Sequence, residues 1–137
     1  MPTAHRFRVV HGADFLQTTA AGDLDYAASR TLLLSVVASN EEEGLDVLLD
    51  LRGSVDGGIS FREVYKLVAI LREHPAAFRR QVAVLDLFRP GFEKVQFFEA
   101  SAVEAGFDVR SFLEYEAAAD WLQRSTVVRP PEAPPAP

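Results

Sequence analysis

The stretch Asp46-Val47-Leu48-Leu49-Asp50-Leu51-Arg52-Gly53-Ser54-Val55-Asp56-Gly57-Gly58-Ile59-Ser60 decides the fold of this chain. It begins with an apolar run, Val47 to Leu51, which is typical of a strand buried on both faces of a parallel sheet. A loop rich in glycine, aspartate and serine is predicted from Ser54 to Ile59. Ser60, with Glu63 three residues later, forms a capping-box pattern and predicts the start of a helix. At the carboxyl end of a strand in an open α/β sheet, such a junction is where ligands and partners bind.

Strands and helices are predicted on both sides of this stretch. Residues 7–11 and 15–20 flank a turn at Gly12-Ala13-Asp14 and predict a hairpin, and Gly22-Asp23 is expected to end its second strand. Asp25 is a suitable N-cap for a helix from Tyr26 to about Asn40. Glu41-Glu42-Glu43 is expected in a solvated turn closed by Gly44.

The carboxyl-terminal half continues the same alternation. The helix that begins at Ser60 should end at His74-Pro75. Strands are predicted at 81–87 and 107–112, the latter near a sheet edge, and helices at 92–105 and 114–124. The resulting order, β-β-α-β-α-β-α-β-α, predicts an α/β fold. Its sheet should be mixed, mostly parallel with an antiparallel edge, and covered by helices.

Size and composition limit the protein classes that fit. A chain of 137 residues suits one domain, which we place at 1–125. Residues 126–137 are rich in proline and are predicted to be a disordered tail, with a proline-rich docking motif as the alternative. The net charge of -6 argues against nucleic-acid binding. The sequence has no cysteine, which excludes thiol chemistry. No apolar run is long enough for an integral membrane segment. With no signal-peptide pattern either, a cytoplasmic location is predicted.

The element order and several local sequences resemble the STAS family, and more closely its SpoIIAA-like branch. The likeness spans about residues 5 to 125. The sequences that carry it are Gly22-Asp23-Leu24, Val47-Leu48-Leu49-Asp50-Leu51-Arg52-Gly53, Arg80-Gln81-Val82-Ala83-Val84, Phe92-Glu93-Lys94-Val95-Gln96-Phe97-Phe98, Gly106-Phe107-Asp108-Val109-Arg110-Ser111-Phe112 and Ala117-Ala118-Ala119-Asp120-Trp121-Leu122.

This resemblance implies the fold of the anti-sigma factor antagonists and a regulatory role with a protein partner, such as a kinase or another regulator. In that family a serine at the start of the helix after the central strand is phosphorylated, and Ser60 aligns with it. The local sequence here is Gly58-Ile59-Ser60-Phe61, whereas the family has Asp-Ser-Ser-Gly. The branch is also similar in topology to the CRAL-TRIO lipid carriers, which implies an apolar ligand as the alternative.

The candidate interaction or phospho-acceptor loop consists of Asp50, Arg52, Ser54, Asp56 and Ser60. Ser60 is interpreted first as a helix cap and second as a phosphorylation or anion-binding site. Asp50, Ser54 and Asp56 could hold a divalent cation, but the backbone needs of a turn also explain these residue types. We therefore predict no metal site.

The candidate apolar pocket consists of Tyr65, Phe88 and Phe92, between the helices and the sheet. Core packing is the simpler interpretation of these aromatic residues, and a homodimer patch is another. A basic cluster of Arg79, Arg80, Arg89 and Lys94 fits either a solvated surface or an acidic partner or lipid headgroup.

No nucleophile elbow, phosphate loop or dinucleotide fingerprint occurs in the chain. We therefore expect a non-enzymatic regulatory or protein-interaction module without a cofactor. The alternative is a carrier or sensor of an apolar or lipid-like small ligand.

Overall fold

Within the part of the chain that the structure describes, there are five strands, four α-helices and one short 3₁₀ helix. The structure is a computed structural model that describes residues 6–11 and 15–128. The strands are β1 (Arg6–His11), β2 (Phe15–Leu24), β3 (Asp46–Asp56), β4 (Val82–Leu85) and β5 (Val109–Phe112). The helices are α1 (Tyr26–Asn40), α2 (Phe61–Glu73), α3 (Phe92–Glu104) and α4 (Tyr115–Val128), with the 3₁₀ helix at Pro75–Phe78. The predicted element order and the α/β class are confirmed.

The strands form one sheet in the order β1-β2-β3-β4-β5. β1 pairs antiparallel with β2, whereas every later pair is parallel. Each parallel neighbour is reached through a helix, as a crossover between parallel strands requires. The mixed sheet, its antiparallel edge and the position of β5 at the other edge are therefore as predicted.

Helices cover both faces of the sheet, but unequally. The larger core lies under α1, α2 and α3 and includes Val47, Leu49 and Leu51 of β3. Leu48 points to the opposite face, because successive strand residues alternate. The smaller core there consists of Phe15, Leu48, Ala83, Leu85, Ala118 and Leu122, the last two from α4. This two-sided burial confirms the prediction from the apolar run 47–51.

Local signals set the ends of α1 and α2. The Asp25 carboxylate accepts a hydrogen bond from Ala28 N at 2.8 Å at the start of α1. α2 begins after Ser60 with a complete capping box and ends before His74-Pro75, as predicted. The turn after α1 closes at Gly44, whose φ of 62° lies in the left-handed region.

Three predicted boundaries are wrong. Gly22 and Asp23 lie inside β2, and β3 continues through the predicted loop as far as Asp56. The two extensions pair with each other, Leu24 opposite Asp56, so ladder hydrogen bonds outweigh the turn preferences of these residues. α4 continues to Val128 instead of ending at residue 124. The predicted turn at 12–14 and the predicted tail beyond residue 128 lie outside the described residues.

A side chain of α3 protects the free edge of β5. Asp108 and Phe112 direct their carbonyls toward β4, so the N–H of Ser111 faces away from the sheet. That N–H donates to Glu99 Oε1 at 3.2 Å, and the Ser111 hydroxyl donates to the same oxygen at 2.6 Å. A charged acceptor at this position discourages the addition of another strand.

Candidate functional site

The first part of the site is an extension of β2 and β3 past the end of β4. β3 pairs with β4 only as far as Asp50, opposite Leu85, but pairs with β2 as far as Asp56. Residues 51–56 of β3 and 21–24 of β2 thus extend past the end of β4, and we call them the β2–β3 arm. It lies at the carboxyl edge of the sheet, where ligands bind in open α/β folds.

A bulge in β3 determines which side chains of the arm face the helices. The register steps from Thr19 opposite Asp50 to Ala21 opposite Gly53, so β3 has one residue more than β2 over this step. An extra residue reverses the alternation of side chains beyond it. As a result Leu51 and Ser54, three positions apart, both face the helices α1–α3 and line one cavity.

This cavity, of about 100 Å³, lies between the sheet and the helices α1, α2 and α3. Its walls are mostly apolar. They include Leu33, Leu49, Ile59, Leu67, Val84 and Phe98. The polar lining residues are concentrated where β3 and β4 end and α3 begins, so the cavity has an apolar interior and a charged mouth.

Arg89 holds one side of the mouth together. Its Nη1 donates to Ser54 O at 2.7 Å, and its Nη2 donates to Asp86 Oδ1 at 2.7 Å and to Leu51 O at 3.3 Å. The side chain is only 27% exposed. A planar guanidinium can serve several acceptors at fixed angles, so Arg89 joins the base of the β2–β3 arm to the end of β4.

The Asp86 carboxyl group beside Arg89 is buried, and burial raises its pKa above the ordinary value. The negative charge of Asp50 acts in the same direction. The N–H of Leu87 and the guanidinium of Arg89 oppose the shift, because both stabilise the ionised form. The Asp86 carboxyl group therefore loses its proton less readily than an aspartate in water.

Asp56 and Lys94 form the other side of the mouth. Lys94 Nζ lies 3.5 Å from Asp56 Oδ2, and Gly58 N donates to Asp56 Oδ1 at 2.9 Å. Gly91, just before α3, has a φ of 103°, and a Cβ built there would lie 2.9 Å from Asp56 Oδ2. The glycine therefore lets a carboxylate oxygen approach the backbone at the amino end of the helix, where the helix dipole favours negative charge.

Asp50 and Arg52 lie on the opposite, α4 side of the sheet. Arg52 donates to both oxygens of Asp50, from Nε at 3.0 Å and Nη2 at 2.9 Å. Its guanidinium also lies 5.7 Å from the ring centroid of Tyr115 at the start of α4. The hydrogen bond to Asp50 raises the pKa of Arg52. The pair links β3 to α4.

The predicted interaction loop is therefore divided among different places. Ser54 and Asp56 are at the cavity mouth, where the Ser54 hydroxyl donates to Leu51 O at 2.6 Å. Asp50 and Arg52 are on the other face of the sheet, and Ser60 is exposed at the start of α2. No group of three or more His, Cys, Asp or Glu within 6–11 and 15–128 could hold a metal ion.

The predicted apolar pocket differs from the one that the structure contains. Tyr65 is 51% and Phe88 83% exposed, whereas Phe92 is buried in the core. Phe88 and Phe92 contact each other with ring centroids 6.3 Å apart. The cavity is not lined by Tyr65, Phe88 or Phe92. For Tyr65 the reason is helical periodicity, which places it on the outer side of α2.

The predicted basic cluster does not form. Arg80 lies 3.3 Å from Asp46 Oδ1, at the start of β3, and Arg79 donates to Glu43 O at 3.2 Å. Arg89 and Lys94 lie beyond the other end of β4, because a strand carries the chain about 3.3 Å per residue.

Asp86 was missed by the sequence reasoning, although a buried strand that ends in an aspartate is a usable signal.

Comparison with solved structures supports the fold. The chain is similar to an uncharacterised protein of the DUF3478 family from Shewanella loihica PV-4, whose crystal structure has a SpoIIAA-like fold. The TM-score is 0.56, and the match covers 89% of this chain and 96% of that protein. The fold of this chain is SpoIIAA-like.

This comparison supports the predicted resemblance at the level of the SpoIIAA-like fold. The two sequences are 17% identical, so the likeness concerns architecture. The chain matches no protein-family model, and the search of curated proteins gives no match. Within the described part of the chain, no helix is long and apolar enough to cross a membrane.

Proposed function

We propose that this chain is a non-enzymatic protein-interaction module of the STAS type, and that it binds a protein partner at the carboxyl edge of its sheet. The observation that carries this proposal is a set of exposed apolar side chains at that edge. Val55 lies near the carboxyl end of β3, Leu87 and Phe88 follow β4, and Leu113 and Tyr115 follow β5. These side chains are between 36% and 83% exposed. We call this set the carboxyl-edge surface.

Exposed apolar side chains grouped at one edge are typical of a binding surface, whereas single ones are ordinary. The polar rim fits the same role. Arg52 reaches over the ring of Tyr115, and Ser60 lies exposed beside the arm. Aromatic and arginine side chains are the residue types most enriched among those that dominate interface energies.

Photo-crosslinking would test this proposal. A photoreactive phenylalanine analogue replaces Phe88 in the full chain, and covalent partners from the native host are identified by mass spectrometry. The binding constant of the captured partner is then measured for Phe88→Ser and for the control Val103→Ser, since Val103 is also exposed, at 53%, but lies on α3. We expect Phe88→Ser to weaken binding at least about tenfold and Val103→Ser to leave it unchanged.

Equal affinities for wild type and Phe88→Ser would contradict the proposal. Sedimentation velocity of the same variants decides whether the partner is a second copy of this chain. A homodimer at this surface would dissociate in Phe88→Ser and persist in Val103→Ser.

A second candidate, a sensor or carrier of a small apolar ligand, is favoured by the cavity of about 100 Å³ with its apolar walls. Native mass spectrometry of the full chain, purified without detergent, would detect a retained ligand as an added mass. A protein that stays ligand-free and gives no spectral change with any apolar probe would contradict this candidate.

A further inference from the structure

We infer that the cavity binds a small monocarboxylic acid with a compact, branched apolar body, and that Lys94 holds its carboxylate. This inference rests on the second candidate function and specifies its ligand. It follows from the size of the cavity and from the difference between the two cationic side chains at its mouth.

The size of the cavity excludes a long chain from its interior. An engineered apolar cavity of about 150 Å³ accommodates one benzene molecule. The cavity here, at about 100 Å³, is smaller and fits a branched alkyl group. An extended acyl chain would have to leave most of its length in water, where it gains nothing from burial.

The walls match such a group in chemistry as well as size. Leu33, Leu67, Val84 and Phe98 come from α1, α2, β4 and α3 respectively, and each is an aliphatic or aromatic residue. A charged group placed among them would lose its hydration without a hydrogen-bonding partner. The polar end of a ligand must therefore stay at the mouth.

Lys94 is the cation at the mouth that can exchange its partner. Its ammonium group makes one contact with Asp56, at 3.5 Å, and the Asp56 side chain is 39% exposed. Asp56 would keep its other bond, from Gly58 N, if Lys94 turned to a ligand. Arg89, by contrast, already serves Ser54 O, Leu51 O and Asp86.

The place that Asp56 occupies already accepts a carboxylate. Its Oδ2 lies against Gly91, where a side chain would collide with it, at the amino end of α3. The amino end of α3 already has a carboxylate of its own, since Gly91 N donates to Glu93 Oε1 at 3.1 Å. The positive charge available to a ligand carboxylate is therefore that of Lys94. When Lys94 turns away from Asp56, a ligand carboxylate can bind its ammonium group at the mouth while the apolar part of the ligand enters the cavity.

Three probes test the inference on the full chain by ¹H–¹⁵N NMR titration. They are 3-methylbutanoate, its neutral amide 3-methylbutanamide, and hexadecanoate below its micelle concentration. For a probe this small we expect a dissociation constant on the order of 1 mM for the acid. The amide should bind in the same cavity about tenfold more weakly, because it lacks the charge-assisted bond to Lys94. Hexadecanoate should give no one-to-one binding at the residues that line the cavity.

Two variants and a matched control locate the carboxylate. Lys94→Met keeps the apolar stem and should remove the difference between acid and amide. Asp56→Asn keeps an acceptor for Gly58 N but removes the competing charge, so it should tighten acid binding about threefold. Lys66→Met, at an exposed lysine of α2, should leave every constant unchanged.

The outcomes separate this inference from the function on which it rests. If acid and amide bind wild type equally, the assignment to Lys94 is overturned while the small-ligand function stands. If hexadecanoate binds one-to-one and shifts the cavity residues, the size argument is overturned. If no probe shifts these residues, both the inference and the second candidate function are overturned.

Discussion

Arg89 and Ser54 are 35 positions apart in the chain, yet Arg89 Nη1 donates to the carbonyl of Ser54 at 2.7 Å. This bond fixes the base of the β2–β3 arm relative to the loop after β4. It therefore sets the shape of the cavity mouth and the position of the carboxyl-edge surface together.

Arg89→Lys should release the arm. A lysine ammonium cannot reproduce the planar fork that serves two carbonyls and Asp86, so we expect a loss of about 2 kcal/mol in the free energy of unfolding. Hydrogen-exchange mass spectrometry should show faster exchange in residues 51–56 and unchanged exchange in α1. Equal protection of residues 51–56 in both proteins would show that the guanidinium does not hold the arm.

Ser60→Ala should cost about 1 kcal/mol in the free energy of unfolding, because the hydroxyl accepts from Glu63 N at 3.1 Å as a helix cap. Ser60→Asp should be close to wild type, since aspartate also caps and its charge suits the amino end of α2. Urea unfolding measures both changes.

The same two variants test whether Ser60 is a switch for the partner captured at the carboxyl-edge surface. A phosphorylation switch predicts that Ser60→Asp alters the binding constant while Ser60→Ala preserves it, and that phosphopeptide mapping finds Ser60 modified in cells. Unchanged binding in both variants would leave Ser60 as a helix cap alone.

Asp86 should give a pH dependence of stability with a defined sign. Its folded-state pKa is raised above the ordinary 3.8. At pH values between 3.8 and the folded-state pKa, the folded protein therefore binds more protons than the unfolded chain. The contribution of Asp86 to the free energy of unfolding must then fall as pH rises from 3.8 through the folded-state pKa. Urea unfolding of wild type and Asp86→Asn, at pH values from about 3.5 to 6.5, measures it. We expect the wild type to lose stability relative to Asp86→Asn across this range, and the opposite trend would contradict the raised pKa.

Asn40→Ala should be among the more damaging single changes in the chain. The buried Asn40 amide donates to Leu45 O at 2.9 Å and Ala77 O at 2.8 Å, and its carbonyl accepts from Leu45 N at 2.8 Å. Removing it leaves these groups without those bonds, with an expected loss of about 3 kcal/mol. Asn40→Asp keeps the acceptor for Leu45 N but loses both donated bonds and should also destabilise. A loss below about 1 kcal/mol for alanine would show that water replaces the amide.

Much of the fold was readable from short-range patterns. The cap at Asp25, the capping box at Ser60 and the stop at Pro75 each act within one helical turn, so the sequence contains the whole interaction. The apolar run 47–51 predicted two-sided burial for a different reason. A strand in a parallel sheet is covered by helices on both faces, so its residues are apolar without alternation. These elements account for the confirmed order and class.

The candidate site was less readable, and its errors have a common cause. Gly22, Asp23 and Gly53 have the residue types of turns, but pairing between β2 and β3 carries them into an extended ladder. The apolar pocket predicted at Tyr65, Phe88 and Phe92 differs from the observed cavity, because helix and loop geometry leaves Tyr65 and Phe88 exposed and buries Phe92 in the core.

The sequence by itself determined where α1 and α2 begin, where α2 ends and which strands are buried, and therefore the SpoIIAA-like order of elements. Only the tertiary structure decided that Arg89 meets Leu51 and Ser54, that Lys94 meets Asp56, and that a bulge turns Ser54 toward the helices. Caps and apolar periodicity depend on residues a few positions apart. The cavity mouth depends on side chains from separate strands and helices, whose meeting is set by register and crossover geometry that no local pattern encodes.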